Sequence, residues 1–278
     1  MIYLLKFKRS GKIRLQYVKF GCFSFVQYIY SSIFLFPLNN FKYHIGSGKS
    51  LTLAVTGLIL IFFSSCNDTM EPDNSRFGYD FFPLNTGHYR IYNVKEILFT
   101  SDLEVDTLIY ELKEVITDSV RDKAGEISYL LQRLKRSESE PAWVLDSIWI
   151  AYKNDIRATV YENSIPVIKL VFPFENNKAW DSNGLNERYT DDFKMEKVFE
   201  PYSSTFGEYE QTVTVIQEEK LDSIAALDYR YEIYARQIGL VEKVSSKLDF
   251  CQADPCFGQK IIESGRIMTQ LLTDYGNE

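Results

Sequence analysis

The stretch LIYELKEVI, residues 108–116, decides the fold because apolar and charged side chains alternate along it. Glu111 and Lys113 point to one side of an extended chain. The apolar residues on the other side are Leu108, Tyr110, Leu112 and Ile116. A period of two is typical of a strand with one buried face. Turn residues follow at 122–125, and the apolar run 127–134 then completes a predicted hairpin.

The same period recurs along the chain from residue 81 onward. Helical spacing is confined to Leu185–Phe199, and the Asn- and Asp-rich segment Pro173–Asp192 predicts a long surface loop. About ten strands joined by short turns predict a mainly β domain with few helices, folded as an antiparallel sandwich or a barrel or half-barrel. The further strand candidates are His88–Phe99, Trp143–Lys153, Arg157–Glu162, Val167–Phe172, Glu210–Gln217, Tyr229–Ala235, Leu240–Leu248 and Arg266–Thr273.

The charges divide the chain at Cys66. Residues 1–66 hold eight of the 31 basic residues and none of the 38 acidic ones. The remaining 23 basic and 38 acidic residues give the part beyond Cys66 a formal charge of −15. Affinity for nucleic acid depends largely on Lys and Arg side chains that neutralise phosphates. We therefore expect no nucleic-acid partner.

An export signal is predicted at Leu51–Ser65, a 15-residue apolar stretch with a basic residue before it. It has the length of a secretory signal helix and is short for a membrane span. Ser64 and Ser65 before Cys66 resemble the lipobox of bacterial lipoproteins, although Phe63 replaces the usual Leu. The resemblance implies cleavage between Ser65 and Cys66 and lipidation of Cys66 by a diacylglyceryl group, with palmitate as acyl chain. The alternative is a buried cysteine in an ordinary helix.

Residues 1–48 form a doubtful leader, because Phe20–Leu38 is a second apolar segment. If this leader is genuine, Phe20–Leu38 and Leu51–Ser65 would make a two-span inner-membrane protein with its acidic domain in the cytoplasm. We favour a translation start near Ile45 or Leu51, which removes the first apolar segment.

The remaining chain divides into three parts. Residues 49–66 are the lipoprotein signal segment, residues 67–80 are a polar tether, and residues 81–278 are a single β-rich exported domain. Acidic residues early in the tether faintly resemble the surface-export signals of Bacteroidota lipoproteins. Whether the domain faces the periplasm or the cell surface is left open.

Two short patches resemble uncharacterised Bacteroidota envelope lipoproteins. The first is FFPLNTGHYRIYNV, residues 81–94, with the pattern F-P-L, two residues and then Gly87. The second is YARQIGLV, residues 234–241, which resembles a Y-A-x-x-[IV]-G-L-V turn, with Gln237 where a glycine is usual. The resemblance implies a lipid-anchored protein of the cell envelope, most simply of the outer membrane. It implies no activity.

Residues for catalysis are scarce beyond Cys66. His88 is the only histidine there, and we expect it to be a surface strand residue. Motifs of the G-x-S-x-G and G-x-G-x-x-G kinds are absent from that part of the sequence. These observations favour a non-enzymatic binding or assembly module with no metal, no cofactor and no catalytic residues. The alternative is a glycosidase-like envelope hydrolase that uses two of the abundant carboxylates.

Three further residues are singled out. Cys251 and Cys256, in CQADPC, predict a structural disulfide in the oxidising envelope, worth about 2 kcal/mol. Trp180 lies in a polar segment and is a candidate contact for a ligand. That ligand would be a protein, a glycan or a lipid.

Overall fold

The computed structural model describes residues 76–100, 104–137, 139–221 and 223–278. Ser65, Cys66 and the leader lie outside these residues. The described part of the chain contains twelve strands and a 3-10 turn at Tyr79–Phe81. The strands are β1 His88–Phe99, β2 Val105–Arg121, β3 Ile127–Arg136, β4 Val144–Lys153, β5 Arg157–Glu162, β6 Ile165–Val171, β7 Ala179–Asp181, β8 Asp192–Ser203, β9 Glu208–Lys220, β10 Ala226–Ala235, β11 Gly239–Phe250 and β12 Ile262–Asn277.

The strands form one antiparallel sheet that curls into a nearly closed barrel. Their order is β6-β5-β4-β3-β2-β1-β12-β11-β10-β9-β8-β7. Strands consecutive in sequence are therefore paired except β6 and β7, which form the two edges, and β1 pairs with β12. The two edges approach each other where the Ile168 amide donates to the Ser182 carbonyl oxygen at 2.9 Å. The prediction of a mainly β antiparallel barrel with few helices is confirmed.

Two strand predictions match the structure at both ends, since β1 and β5 have the predicted bounds. The helical spacing at Leu185–Phe199 was wrong, because β8 occupies its second half. Bulges interrupt the pairing of β8 with β9, and Lys197 and Phe199 have positive φ angles of 50° and 62°. These interruptions break the period of two. The predicted loop Pro173–Asp192 also contains a strand, β7.

Residues 77–87, which we call the plug, close one end of the barrel. Phe81 is fully buried and packs with Phe82 in the main hydrophobic core. The Lys153 ammonium donates to the carbonyl oxygens of Tyr79, at 2.6 Å, and Phe82, at 2.7 Å. The carbonyl oxygen of Phe77 accepts a hydrogen bond from the amide of Phe174 at 3.1 Å. These hydrogen bonds join residues 77–82 to the strands of the domain.

One row of outer side chains crosses seven strands. Directly paired residues share a face of a sheet. The row is Thr214, Ile233, Glu242, Leu271, Asn93, Glu111 and Arg136. It is buried from Thr214 to Glu242 and exposed at Asn93.

The far half of the β8–β9 hairpin covers the buried part of this row. Tyr202, on β8, donates from its hydroxyl group to Glu242 on β11, although two strands separate β8 from β11 in the sheet. The ring of Tyr209 stacks on that of Tyr202, with centroids 6.3 Å apart. Both rings pack in the hydrophobic cluster that contains Ile233. The hairpin therefore lies over the outer face of β10 and β11, whereas outer side chains such as Asn93 on β1 and Ile148 on β4 are exposed.

Candidate functional site

The barrel interior holds two groups of ion pairs. In the first, Glu232 is fully buried and accepts from the ammonium groups of Lys169, at 2.8 Å, and Lys243, at 3.0 Å. The Tyr234 hydroxyl donates to the same carboxylate at 2.6 Å. Lys169 also pairs with Glu162 at 3.2 Å. The strands β5, β6, β10 and β11 are thereby joined across the interior.

The second group is centred on Glu114 of β2. Its carboxylate lies between the guanidinium groups of Arg90, at 3.4 Å, and Arg133, at 3.2 Å. The Tyr92 hydroxyl oxygen lies 3.5 Å from it. The Arg133 guanidinium also stacks on the ring of Trp149, 3.8 Å from the centroid. Both buried carboxylates therefore have two cationic partners and a tyrosine hydroxyl.

The ion pairs of the interior favour the charged forms of Glu232 and Lys169. Burial alone would raise the pKa of Glu232, but the ammonium groups of Lys169 and Lys243 hold that pKa well below its usual range. Burial opposes the charge of Lys169 as well, and Glu162 and Glu232 raise its pKa above the usual value. A carboxylic acid that donates a proton at neutral pH needs a raised pKa, and Glu232 has the opposite shift.

The interior is also nearly filled. A cavity of about 60 Å³ remains between the two ion-pair groups. That space suits a few water molecules, since each needs roughly 10 to 15 Å³. A sugar ring or a peptide would not fit there without moving the surrounding side chains. The interior arrangement therefore fixes strand positions and offers little room for chemistry.

A groove of about 720 Å³ lies outside the barrel, over the exposed part of the outer row. This outer groove has the size of many ligand clefts, which span roughly 300 to 1,000 Å³. Phe206, from the turn between β8 and β9, forms one wall. Pro141, from the connection between β3 and β4, forms the other. The floor comprises Asn93, Lys95, Ile109, Glu111, Thr269 and Leu271.

The chemistry of the outer groove is mainly apolar with a few polar groups. Ile109 is 68% exposed and Phe206 is 48% exposed, so both offer apolar surface to solvent. Arg136 donates to Glu111, and its guanidinium lies 4.3 Å from the centre of the Trp143 ring. The guanidinium is thus held in place at the rim. Such a surface suits an apolar side chain flanked by groups that hydrogen-bond to it or to its backbone.

The remaining predicted site residues lie elsewhere in the domain. Cys251 and Cys256 form a disulfide in the connection between β11 and β12, with Cα atoms 5.9 Å apart. The Trp180 indole nitrogen donates to the Ile168 carbonyl oxygen at 3.0 Å, and its ring meets Phe193 edge-on. Trp180 therefore packs at the junction of the barrel edges and is not part of the outer groove.

His88 was expected at the surface, and that expectation was wrong. The plug covers this end of the barrel, so His88 is buried, and its Nε2 atom lies 3.1 Å from the Ile238 carbonyl oxygen. Burial lowers the pKa of His88 below its usual value. The described part of the domain also contains no group of three or more His, Cys, Asp or Glu side chains that could hold a metal ion.

The two patches that suggested a lineage meet in space, although about 150 residues separate them. The Tyr92 hydroxyl donates to the Leu240 carbonyl oxygen at 3.2 Å, and the Gln237 amide donates at 2.7 Å to the carbonyl oxygen of Asp80, the residue before the first patch. Gly239 has a φ of +93°, and a side chain there would collide with the Arg90 guanidinium. Both patches therefore have a structural role, which is to fasten the plug to the β10–β11 turn.

The outer groove was not predicted from the sequence. One sign was present, because Ile109 is an apolar residue at an outward position of the alternating stretch 108–116. Phe206 lies in no alternating stretch that would have indicated its position. Its place in the groove wall depends on how the bulges of β8 bend the hairpin over the sheet. That bend depends on tertiary contacts.

The comparisons with known proteins found no matching family model and no matching curated protein. Among solved structures, the chain is similar to a Bacteroides fragilis protein that has a YmcC-like fold and is proposed to be exported. The identity is 11%, the TM-score is 0.38, and the match covers 70% of this chain and 98% of that one. A proposed lipoprotein from Parabacteroides distasonis matches at 10% identity and a TM-score of 0.37, with the same coverage.

A third solved structure is a proposed outer membrane lipoprotein-sorting protein domain from Vibrio parahaemolyticus. It matches at 11% identity and a TM-score of 0.18, over 68% of this chain and 85% of that one. TM-scores below 0.5 at such identities carry no weight for the function of this chain. Within the described ranges, no helix combines the length and the apolar character needed to cross a membrane.

Proposed function

We propose that this chain is a lipoprotein of the cell envelope, anchored in the outer membrane through acylated Cys66. Its β domain is a non-enzymatic binding module that takes an apolar segment of a partner protein in the outer groove. The lipobox resemblance at Cys66 and the acidic charge of the part beyond it support the proposed location in the cell envelope. The groove supports the binding role.

The observation that carries the binding role is the contrast between the groove and the interior. The groove is open and presents Ile109 and Phe206 to solvent. Asn93 and Lys95 on its floor can hydrogen-bond to the backbone of a bound segment. The buried carboxylates Glu114 and Glu232 are each paired with two cations. These pairs disfavour the hydrolase alternative, which needs one carboxyl group that is protonated at neutral pH.

Intact mass spectrometry of the membrane fraction tests the anchor. We expect the wild-type mature chain to begin at Cys66 and to carry the mass of the added acyl groups. The Cys66→Ala chain should lose that mass and leave the membrane fraction, because no thiol remains to accept the lipid. An uncleaved chain that begins at Met1 and is unchanged by the substitution would contradict the anchor and favour a two-span protein.

Photo-crosslinking in intact cells tests the groove. A photoreactive phenylalanine analogue at position 109 should crosslink to an envelope protein, because Ile109 is on the groove floor. Ile224 is the matched control, since it is a 48% exposed isoleucine outside the residues that line the groove. The Phe206→Asp substitution should reduce the crosslink from position 109 by about tenfold, as expected when a buried apolar contact is lost.

Three results would contradict the proposed ligand class. They are crosslinking of equal strength from positions 109 and 224, crosslinking from position 109 to a glycan or a lipid, and crosslinking that Phe206→Asp leaves unchanged. Phe206 is exposed, so its substitution should leave the fold intact. A denaturation curve that matches the wild type would verify this.

A further inference from the structure

Aliphatic side chains are exposed on the outer face of β3–β5, in a region apart from the outer groove. Ile148 is 53% exposed, and Ile150 and Leu145 are also exposed. Cross-strand pairing links Leu134 with Leu145, and it links Ile150 with both Leu130 and Tyr161. We call this set the aliphatic patch, and its members are Leu130, Leu134, Leu145, Ile148, Ile150 and Tyr161.

The aliphatic patch is uncharged on a strongly acidic chain. The outer positions of β3 from Ser128 to Leu134 are Ser, Leu, Gln and Leu, and those paired with them on β4 are Tyr, Ile, Ile and Leu. The part of the chain beyond Cys66 has 38 acidic and 23 basic residues. A contiguous apolar surface on a soluble domain usually marks a contact with a protein or a membrane.

The number of residues between Cys66 and the domain limits how far the patch can lie from the predicted anchor. The Tyr79 hydroxyl donates to the Asp155 carbonyl oxygen at 3.3 Å, so the chain enters the domain beside the β4–β5 turn. Ile148 lies five residues along β4 from Lys153 at that turn, a distance of about 17 Å. Ten residue steps separate Cys66 from Arg76, and they span at most about 35 Å. The lipid attached to Cys66 is therefore within reach of the patch.

We propose that the aliphatic patch rests on the lipid surface in which Cys66 is anchored. This inference deepens the proposed function and depends on the anchor at Cys66. Because the tether confines the domain near the bilayer, the effective concentration of lipid at the patch is high, and a weak apolar contact suffices. The acidic charge disfavours anionic headgroups, so a zwitterionic surface fits best.

Two tyrosines, Tyr161 in the patch and Tyr152 next to it, suit the same surface. The rings of Tyr152 and Tyr161 lie 6.3 Å apart on the outer face of β4 and β5. Tyrosine is favoured at membrane–water interfaces, where its ring contacts lipid and its hydroxyl group contacts water. In this orientation the domain lies on its β3–β5 side, and the covered side of the barrel, with the β8–β9 hairpin, faces away from the lipid.

Fluorescence quenching in phosphatidylcholine vesicles tests the orientation. The acylated chain is labelled at Ile148→Cys with an environment-sensitive fluorophore, and Ile224→Cys is the matched control. Cys251 and Cys256 are joined in a disulfide, so the introduced cysteine is the free thiol of the described domain. Phosphatidylcholine with brominated acyl chains should quench the label at position 148 by at least about twofold and leave that at 224 nearly unchanged.

Equal quenching at the two positions would overturn the inference. Protection of position 148 that requires added envelope proteins would also overturn it, because the patch would then be a protein contact. Both results leave the anchor intact if the Cys66→Ala chain leaves the membrane fraction. If that chain stays in the membrane fraction, the proposed anchor itself fails, whatever the label at position 148 reports.

Discussion

The outer face of the barrel is covered over β10 and β11 and exposed along β4, although both regions have isoleucine at outer positions. Ile233 is 5% exposed beneath the β8–β9 hairpin, whereas Ile148 is 53% exposed. Both isoleucines lie on antiparallel strands of the same sheet, Ile233 on β10 and Ile148 on β4. The difference arises because the bulges of β8 bend its hairpin over one side of the sheet. An apolar outer position therefore becomes core or contact surface according to which segment folds over it.

The largest effect should come from the inner face beneath the covered region. If the interior ion pairs hold β10 in place more firmly than the hairpin does, Glu232→Ala will destabilise the domain more than any substitution beneath the hairpin. The substitution leaves Lys169 and Lys243 with an unbalanced charge inside the barrel. Loss of one partner of a buried pair costs about 3 to 5 kcal/mol. Chemical denaturation measures this difference.

The pH dependence separates loss of charge from loss of packing. Because the folded-state pKa of Glu232 is lowered, its contribution is present above the unfolded pKa of about 4.3 and is lost as pH falls below it. The wild type should therefore lose stability in acid more steeply than Glu232→Gln, which keeps the side-chain shape. Equal acid slopes for the two proteins would show that folding does not lower the pKa of Glu232.

The sequence predicted most strands of the domain because their alternation is regular, and the bounds of β1 and β5 agree with the structure. It did not predict which face is inside. In β10, Arg230 and Glu232 point inward, whereas Tyr231 and Ile233 point outward, the reverse of the usual rule. That reversal is stable only because cations from β6 and β11 reach Glu232. Such long-range pairing leaves no periodic sign in the sequence.

The candidate sites also differ in whether they depend on residues close in sequence or far apart in sequence. The disulfide between Cys251 and Cys256 depends on two residues close in sequence, so their spacing was sufficient to propose it. The outer groove brings together side chains from β1, β2 and β12 and from two connections. Neither the bend of the β8–β9 hairpin nor the position of Phe206 can be derived from local pattern, because tertiary packing decides both.

The matched isoleucines give the direct comparison of the two outer regions. Ile233→Ala should cost about 2 to 4 kcal/mol, because it leaves a cavity beneath the covering hairpin. Ile148→Ala should change the free energy of unfolding by less than about 0.5 kcal/mol, because water already reaches its side chain. Both values come from denaturant unfolding of the unacylated chain, without vesicles. A large loss from Ile148→Ala would mean that the aliphatic patch is packed in solution, and a negligible loss from Ile233→Ala would mean that the hairpin does not cover β10.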